Sequence, residues 1–375
     1  MTDAPINFAT EAPIAGSLDV RWIHGSPARK KPADPLIQVH QYDPHTVIMR
    51  QSKSVTYEAP FLFLLFGNDR ALLLDTGATE EEETFPLRAT VDRLIAGWLA
   101  EHRPTSAPET YELVVAHTHG HGDHVAGDQQ FAGRPATTVV PRELDEVRKH
   151  FGFTAWPEQI TAFDLGGRVL EVTGSPGHHQ AAITVYDPWT GLLLTGDTVY
   201  PGRLYAFDFP QFVASLDRMV ELAESRPVTH VLGCHIEMTS RPGRDYPLGA
   251  LYQPNEPALE MTVGQLWNVR AAAASVVGRQ GEHRFDDFII YNEPGRREQR
   301  KLTARARVHK IWPTRLGRTA NANTGRRADI DRPLPRAYDR TRRAIATLPG
   351  RSARWVGDDR ATRASRCGSP VRWSG

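Results

Sequence analysis

Residues 117 to 124 read His-Thr-His-Gly-His-Gly-Asp-His, directly after the apolar run Leu113 to Ala116 and before a short helix expected to begin near Asp123. His119, His121, Asp123 and His124 place borderline-to-hard nitrogen and oxygen donors within six residues, a set suited to a divalent cation. Alternate residues of an extended segment face the same way, so His119 and His121 can bind one ion together. Asp123 and His124 follow the turn and are free to face a second ion. Gly120 and Gly122 remove side chains where the backbone folds tightly around the metals. His117 still belongs to the strand, points the other way and is set aside. The chain's two cysteines, Cys234 and Cys367, cannot make a cysteine-based zinc site or a disulfide framework. Gly-x-Ser-x-Gly is absent. Two divalent ions in one site can share a hydroxide and polarise a carbonyl or phosphoryl oxygen, which is hydrolysis without a covalent enzyme intermediate.

The elements that must position these donors follow from hydrophobic periodicity. Strands are expected at Ile37 to Tyr42, Thr46 to Arg50, Phe61 to Phe66 and, after the turn Gly67-Asn68-Asp69, Ala71 to Leu74. A helix is expected over Pro86 to His102, with Leu87, Val91, Leu94, Ile95, Trp98 and Leu99 on one stripe. The strand Leu113 to Ala116 then delivers the chain into the histidine cluster. Further strands fall at Thr137 to Val140, Arg168 to Thr173, Ala182 to Tyr186, Leu192 to Thr195, Val228 to Leu232 and Phe285 to Tyr291. Helices fall at Phe212 to Ala223 and about Pro257 to Val277. Mixed sheets with helices outside are the economical architecture, an α/β (α+β) fold.

Composition divides the chain into unlike parts. With 40% hydrophobic and 24% charged residues over 375 positions, fibrous and wholly disordered classes are excluded. No run reaches the roughly 18 apolar residues of a membrane span, and Met1 to Ile14 lacks the pattern of a secretory signal, so a cytoplasmic protein is expected. Residues 1 to 295 carry 23 Lys and Arg against 38 Asp and Glu, whereas residues 296 to 375 carry 22 against 6. The last 80 residues hold only ten Leu, Ile, Val or Phe, too little apolar surface to offset the entropy of ordering them, and are expected to be disordered. Their clustered Arg and three Trp suit a nucleic-acid or acidic-partner tail. The alternative is a non-native C-terminus, and neither reading gives the tail catalysis. Residues 1 to 35, polar and Pro-rich with a basic cluster at Arg29, Lys30 and Lys31, read as a flexible arm. Residues 36 to 295 are left as the catalytic domain.

Thr118-His119-Gly120-His121-Gly122-Asp123-His124 resembles the T-H-x-H-x-D-H signature of the metallo-β-lactamase superfamily, and residues 37 to 291 resemble that family in order and spacing. The resemblance implies an αββα four-layer sandwich of two mixed sheets, with the metals at one edge. Ser175-Pro176-Gly177-His178 resembles the family's P-G-H segment, Thr195-Gly196-Asp197-Thr198 its T-G-D segment, and Gly233-Cys234-His235 its last ligand segment. By this carry-over His119, His121 and His178 hold a first metal and Asp123, His124 and His235 a second. Asp197 bridges the two. Leu74-Asp75-Thr76-Gly77 resembles the family's D-T-G, whose carboxylate orients a metal-bound histidine. The implied cofactor is a pair of divalent ions, zinc first, with iron or manganese as alternatives.

Asp197 argues against a true β-lactamase, which usually carries Cys or Ser there, and His121 argues against the di-iron oxygen-reducing relatives, which have Glu. What remains resembles the glyoxalase II, lactonase and general ester or thioester hydrolase branch, acting on a small molecule, with Asp123 or Asp197 relaying the proton. Tyr200, three residues after Asp197, stands where lactone-cleaving members have a tyrosine that binds the substrate carbonyl. Arg203 and Tyr205 in the same loop are candidates to meet an acidic substrate tail. The irregular stretch from His235 through Tyr252 is long enough for a substrate wall. The chemical rival is a mononuclear iron persulfide dioxygenase carrying the same first motif and Asp. A nuclease is disfavoured by the acidity of residues 1 to 295. From another class stands a nucleic-acid-binding protein with a vestigial metal site.

Overall fold

A computed structural model describes residues 4 to 27 and 34 to 311. The continuous apolar runs seen in the sequence become strands buried on both faces, and the alternation of side chains sorts each run between two cores. The first sheet has six strands in sequence order: β1 (Ile37–Asp43), β2 (Thr46–Gln51), β3 (Phe61–Phe66), β4 (Arg70–Leu74), β5 (Glu112–Ala116) and β6 (Thr137–Val139). The first four pair antiparallel, whereas β4 to β5 and β5 to β6 are parallel. The second sheet contains β7 (Ile160–Asp164), β8 (Val169–Gly174), β9 (Ile183–Asp187), β10 (Leu192–Gly196), β12 (His230–Gly233) and β13 (Glu260–Met261), in the order β13-β12-β10-β9-β8-β7. Its one parallel pair is β10 with β12. A smaller third sheet, absent from the sequence expectation, joins β11 (Arg203–Ala206) to β15 (Ile289–Asn292) and β14 (Gly281–Arg284).

Phe61, Phe63, Leu72, Leu74 and Val114 of the first sheet share a core with Leu170, Val172, Val185, Leu192 and Leu194 of the second, so the two sheets face each other. The intervening residues Leu62, Leu64, Leu73 and Leu113 turn outward onto α1 (Leu87–His102), through Val91, Ile95, Trp98 and Leu99. On the far side Tyr186, Leu193 and Val231 meet α4 (Phe209–Ser225) and α5 (Val263–Ser275) through Phe212, Leu216, Leu266 and Val269. The result is the expected α–β–β–α layering. The remaining helices are short or peripheral: α2 (Gly122–Val125), α3 (Leu144–Phe151) and α6 (Arg296–Ile311). Among the described residues no helix is long and apolar enough to cross a membrane.

Three expectations are corrected. Residues 4 to 27 are packed against the body: Phe8 is buried edge-on against His45 and Trp189, and Trp22 against Phe61. Backbone hydrogen bonds of Ile6 to Asn68, Ile14 to the Trp189 carbonyl, Ser17 to the Tyr42 carbonyl and Ile23 to Gln38 join these two aromatic anchors in holding a polar, Pro-rich stretch that composition alone reads as loose. The basic cluster at Arg29 to Lys31 lies outside the described residues. The expected tail begins with a helix: Leu302 of α6 packs on Met238, Ile289 and Tyr291, and Arg305 pairs with Asp245. The rest of that tail, from 312 onward, lies outside the described residues. The expected helix over 257 to 277 is shorter, because Thr262 forms a capping box with Gln265 and residues 260 and 261 join the sheet as β13.

One buried cation ties the two sheets at the edge away from this helix start. Arg168, 1% exposed, makes a two-pronged bond to Asp187 and donates to the carbonyls of His45 and Phe66 and to Thr46 Oγ1 across the sandwich. Removing the guanidinium leaves the fully buried Asp187 carboxylate without its cation, held only by Thr190 Oγ1 and the Trp189 N–H, and takes a donor from each of two buried carbonyls. Arg168→Ala is expected to lower the unfolding free energy by about 3–5 kcal/mol in urea titration, and a loss below ~1 kcal/mol contradicts this role.

Candidate metal centre

The functional side chains all follow C-terminal strand ends. Asp75 follows β4, residues 117 to 124 follow β5, His178 lies four residues past β8, Asp197 follows β10, and Cys234 and His235 follow β12. The parallel pairs β4–β5 and β10–β12 bring these ends to one rim. Asp75, fully buried with φ of +71°, accepts from the Thr118 N–H at 2.7 Å and the Thr118 hydroxyl at 2.9 Å. Its second oxygen also accepts from Cys234 Sγ at 3.2 Å and lies 3.0 Å from His124 Nδ1. Nδ1 is thus the nitrogen of His124 that donates to Asp75, and Nε2 is turned toward the rim, 3.7 Å from Asp123 Oδ2 and 3.6 Å from Asp197 Oδ1.

The donors gather as two groups. In the first, His119 Nε2 lies 2.9 Å from His121 Nδ1, which lies 3.0 Å from His178 Nε2. His178 is aimed by its Nδ1, 2.8 Å from the Tyr205 carbonyl. The second holds Asp123, His124, Asp197 and His235, with His235 Nε2 3.4 Å from both Asp123 Oδ2 and Asp197 Oδ1. His235 is oriented through Nδ1, 3.2 Å from the Glu58 carbonyl. Asp197 faces both groups: Oδ1 is 3.6 Å from His124 Nε2, and Oδ2 is 3.8 Å from His178 Nε2. Asp75, His124 and Cys234 also converge, but their atoms already bond one another.

The electrostatics of the two groups differ in kind. Burial, then the neighbouring imidazoles, pushes His119 well below its ordinary value, and burial takes His178 down to about 4. These imidazoles are neutral at pH 7 with lone pairs available. In the second group burial alone would lower His235, but Asp197 and Asp123 outweigh it and hold it up at about 9. Burial alone would raise Asp197, yet His235 and His124 bring it down to about 2. Asp123 is likewise held well below the carboxylate range, its burial outweighed by His235 and His124. The second group is thus an internally paired cluster whose imidazole protons are displaced when a cation enters.

These residues fit divalent cations. His121 Nδ1 lies within hydrogen-bond distance of both His119 Nε2 and His178 Nε2, and His178 Nε2 has no proton to offer it while Nδ1 donates to the Tyr205 carbonyl, so the three nitrogens are not all satisfied at neutral charge. The buried Asp197 Oδ1 is ion-paired at 3.4 Å with His235 Nε2 but makes no hydrogen bond, a gap that a cation would fill. The His and Asp donors are positioned for metal binding, and their nitrogen and oxygen chemistry matches borderline-to-hard ions.

All seven sequence-derived donors therefore come together, and Asp75 bonds one of them. Three other candidates do not reach the centre as expected. Arg203 is 3% exposed and committed to Glu237, to Asp245 at 3.0 Å and to the Tyr246 carbonyl at 2.8 Å, because a buried guanidinium must be paired. It has no free face for a substrate tail. Tyr200 is buried with its ring 5.7 Å from that of His235, but its hydroxyl donates to the Arg203 carbonyl at 2.5 Å and lies 3.1 Å from Glu237, so the expected carbonyl-binding phenol is occupied. Tyr205 contributes its backbone carbonyl to His178, while its ring stacks between Phe207 and Tyr291. His117 bonds Asp128 at 2.8 Å, outside the donor groups. Glu237 and Asp245, which neutralise Arg203, and the Glu58 carbonyl have no spacing signal that would reveal them.

Asp75→Asn keeps the side-chain size but places an amide where His124 requires an acceptor. It is expected to weaken metal affinity by about 10- to 100-fold in competition with a chromophoric chelator, and unchanged affinity contradicts the orienting role.

A family model described as the metallo-beta-lactamase superfamily matches residues 58–254, a stretch that includes Asp75 and all seven donors. The chain is 34% identical over 122 residues to a hydroxyacylglutathione hydrolase of Synechococcus sp. (strain JA-2-3B'a(2-13)), covering 31% of this chain and 48% of that protein. It is 29% identical over 195 residues to the hydroxyacylglutathione hydrolase of Synechococcus sp. (strain JA-3-3Ab), covering 50% of this chain and 73% of that one. The acyl-coenzyme A thioesterase MBLAC2 of Gallus gallus is 26% identical over 209 residues, covering 47% and 72%. Among solved structures, that of the DIM-1 metallo-beta-lactamase aligns with a TM-score of 0.40 at 14% identity, over 64% of this chain and 99% of that one. With more than half of its residues matched by the family model, the chain belongs to the metallo-beta-lactamase superfamily.

Proposed function

We propose that the protein is a metal-dependent hydrolase that cleaves a small thioester by water attack. The observation that carries this is Asp197, whose two oxygens face two separate donor groups. A carboxylate so placed, with one buried oxygen making no hydrogen bond, suits a two-cation centre better than one. His119, His121 and His178 would hold one cation, and Asp123, His124 and His235 the other. When bound, the two cations supply Lewis acidity and acidify water toward neutral pH.

The chain's own residues account for the remaining work. Cys234 is no nucleophile, because burial and then the Asp75 charge push its thiol up, and its S–H is spent on Asp75. Water therefore supplies the attacking oxygen. Asp123, ionised and half-buried, is placed to orient the attacking water by accepting its hydrogen bond, and the proton is lost along that bond as the oxygen attacks the carbonyl carbon. As the carbon–sulfur bond breaks, the departing thiolate takes up one proton, so that water is divided between acid and thiol and Asp123 stays ionised throughout. Asp75 and the carbonyls of Tyr205 and Glu58 keep the imidazoles in one orientation throughout. Support for a thioester comes from the relatives, which include hydroxyacylglutathione hydrolases and an acyl-coenzyme A thioesterase.

The test is a panel of one acyl-glutathione thioester, one acyl-coenzyme A, one lactone, one β-lactam and one phosphodiester, assayed with wild type and with His119→Ala. Thioester turnover that falls by at least about 10³-fold in the variant is expected. Turnover confined to another substrate, or equal in the variant, contradicts the proposal.

A further inference from the structure

The described Phe, Tyr and Trp side chains are buried or half-buried with two exceptions, Tyr57 and Phe207, and both stand beside the donor groups. Tyr57 precedes Glu58, whose carbonyl meets His235. Phe207 is 53% exposed, and its ring centroid lies 5.6 Å from that of His178 and 6.4 Å from that of His121. Isolated exposed apolar residues are ordinary on protein surfaces. An exposed phenyl ring beside the imidazoles of a metal centre is a different case, because a molecule that approaches those imidazoles over it lies against it.

The ring is also fixed in place. It stacks on Tyr205 at 6.2 Å with 7° between planes, and Tyr205 stacks on the buried Tyr291 at 4.9 Å. On one side Ala206 is held in β11 opposite Asn292. On the other, the Asp208 N–H donates to the Gly177 carbonyl at 2.9 Å, and the Asp208 side chain caps α4 by accepting from the Gln211 N–H. Phe207 is thus the exposed end of a rigid aromatic row, ready to receive an apolar group without ordering cost. Nothing in the fold requires that end to face solvent.

Resting on the thioester reading above, we propose that Phe207 determines specificity, and that the substrate carries an apolar acyl group which lies on its ring. Both halves of a thioester are bonded to the carbonyl carbon that must approach the donors, the acyl chain through carbon and the thiol half through sulfur, so chemical character selects between them. A bare, exposed phenyl ring beside His178 and His121 matches an apolar acyl chain and offers nothing to the polar thiol half. Arg203, locked to Glu237 and Asp245, offers this half no cation, which further favours recognition through the acyl group.

The experiment compares full-length wild type, Phe207→Ala and Phe207→Leu on acetyl, butanoyl, hexanoyl and phenylacetyl thioesters of glutathione. Wild-type kcat/KM is expected to rise by about two- to four-fold per added methylene, as partial burial of each on the ring predicts. The hexanoyl-to-acetyl ratio should collapse by roughly tenfold in Phe207→Ala and less in Phe207→Leu. In parallel, calorimetry follows binding of ketone analogues in which a methylene separates carbonyl from sulfur, a readout that needs no turnover. A wild-type ratio near one, or one preserved in Phe207→Ala, overturns the assignment. Absence of turnover on every thioester overturns the hydrolase reading instead. Ketone binding then still decides the role of Phe207, supporting it if affinity grows with chain length in wild type alone and overturning it if affinity is flat.

Discussion

The site depends on one buried carboxylate. Asp75 lies at the end of β4 with no exposure to solvent, and an ionised group there is tolerable only when its oxygens are filled with donors. Thr118 supplies two, Cys234 one and His124 one, so the strand ends of β4, β5 and β12 and the start of α2 are drawn to a single point. The chain passes through Asp75 at φ of +71°, a conformation costly to a non-glycine residue. Its N–H bonds the Ala116 carbonyl and that of Thr76 bonds the His124 carbonyl, which over-determines the turn. The position of His124, and with it the second donor group, is thereby a consequence of satisfying Asp75.

From that anchor the rest of the centre is a matter of which charges are left unpaired. His119 and His178 of the three-imidazole group are neutral because burial and the neighbouring imidazoles disfavour a second proton on either ring. The carboxylate-rich group pairs its own charges, with Asp197 the member that reaches toward both. Two sheets meeting face to face present their strand ends along one rim, and Arg168 clamps them through Asp187 and the carbonyls of His45 and Phe66. A dense interior fixes those ends to within the tolerance a ligand set needs.

Much of this was legible in the sequence for a physical reason. Strands buried on both faces are continuous apolar runs, so Phe61–Phe66 and Leu192–Gly196 were visible with nearly their final bounds, and the donors stand immediately after such runs. Short edge strands such as Ile160–Asp164, and β11 and β14 that flank β15 in the third sheet, were not visible, because their pairing is decided by neighbours far along the chain. The N-terminal arm was misjudged since Phe8 and Trp22 act as single anchors, which composition averages away. Arg203 shows the limit most plainly. Proximity to Asp197 suggested a substrate contact, whereas its partners Glu237 and Asp245 lie 34 and 42 positions away and bury it. Phe207 carries no spacing signal at all, because its place beside His178 is set by the fold of β11 and α4 around it.

The central claim is that two donor groups sharing Asp197 each hold a divalent cation. The most direct measurement is metal content by plasma mass spectrometry on the purified chain after saturation and removal of free metal. About two equivalents per chain are predicted, falling to about one in His178→Ala, where the carboxylate-rich group is left complete. A wild-type chain that retains one equivalent or none contradicts the account.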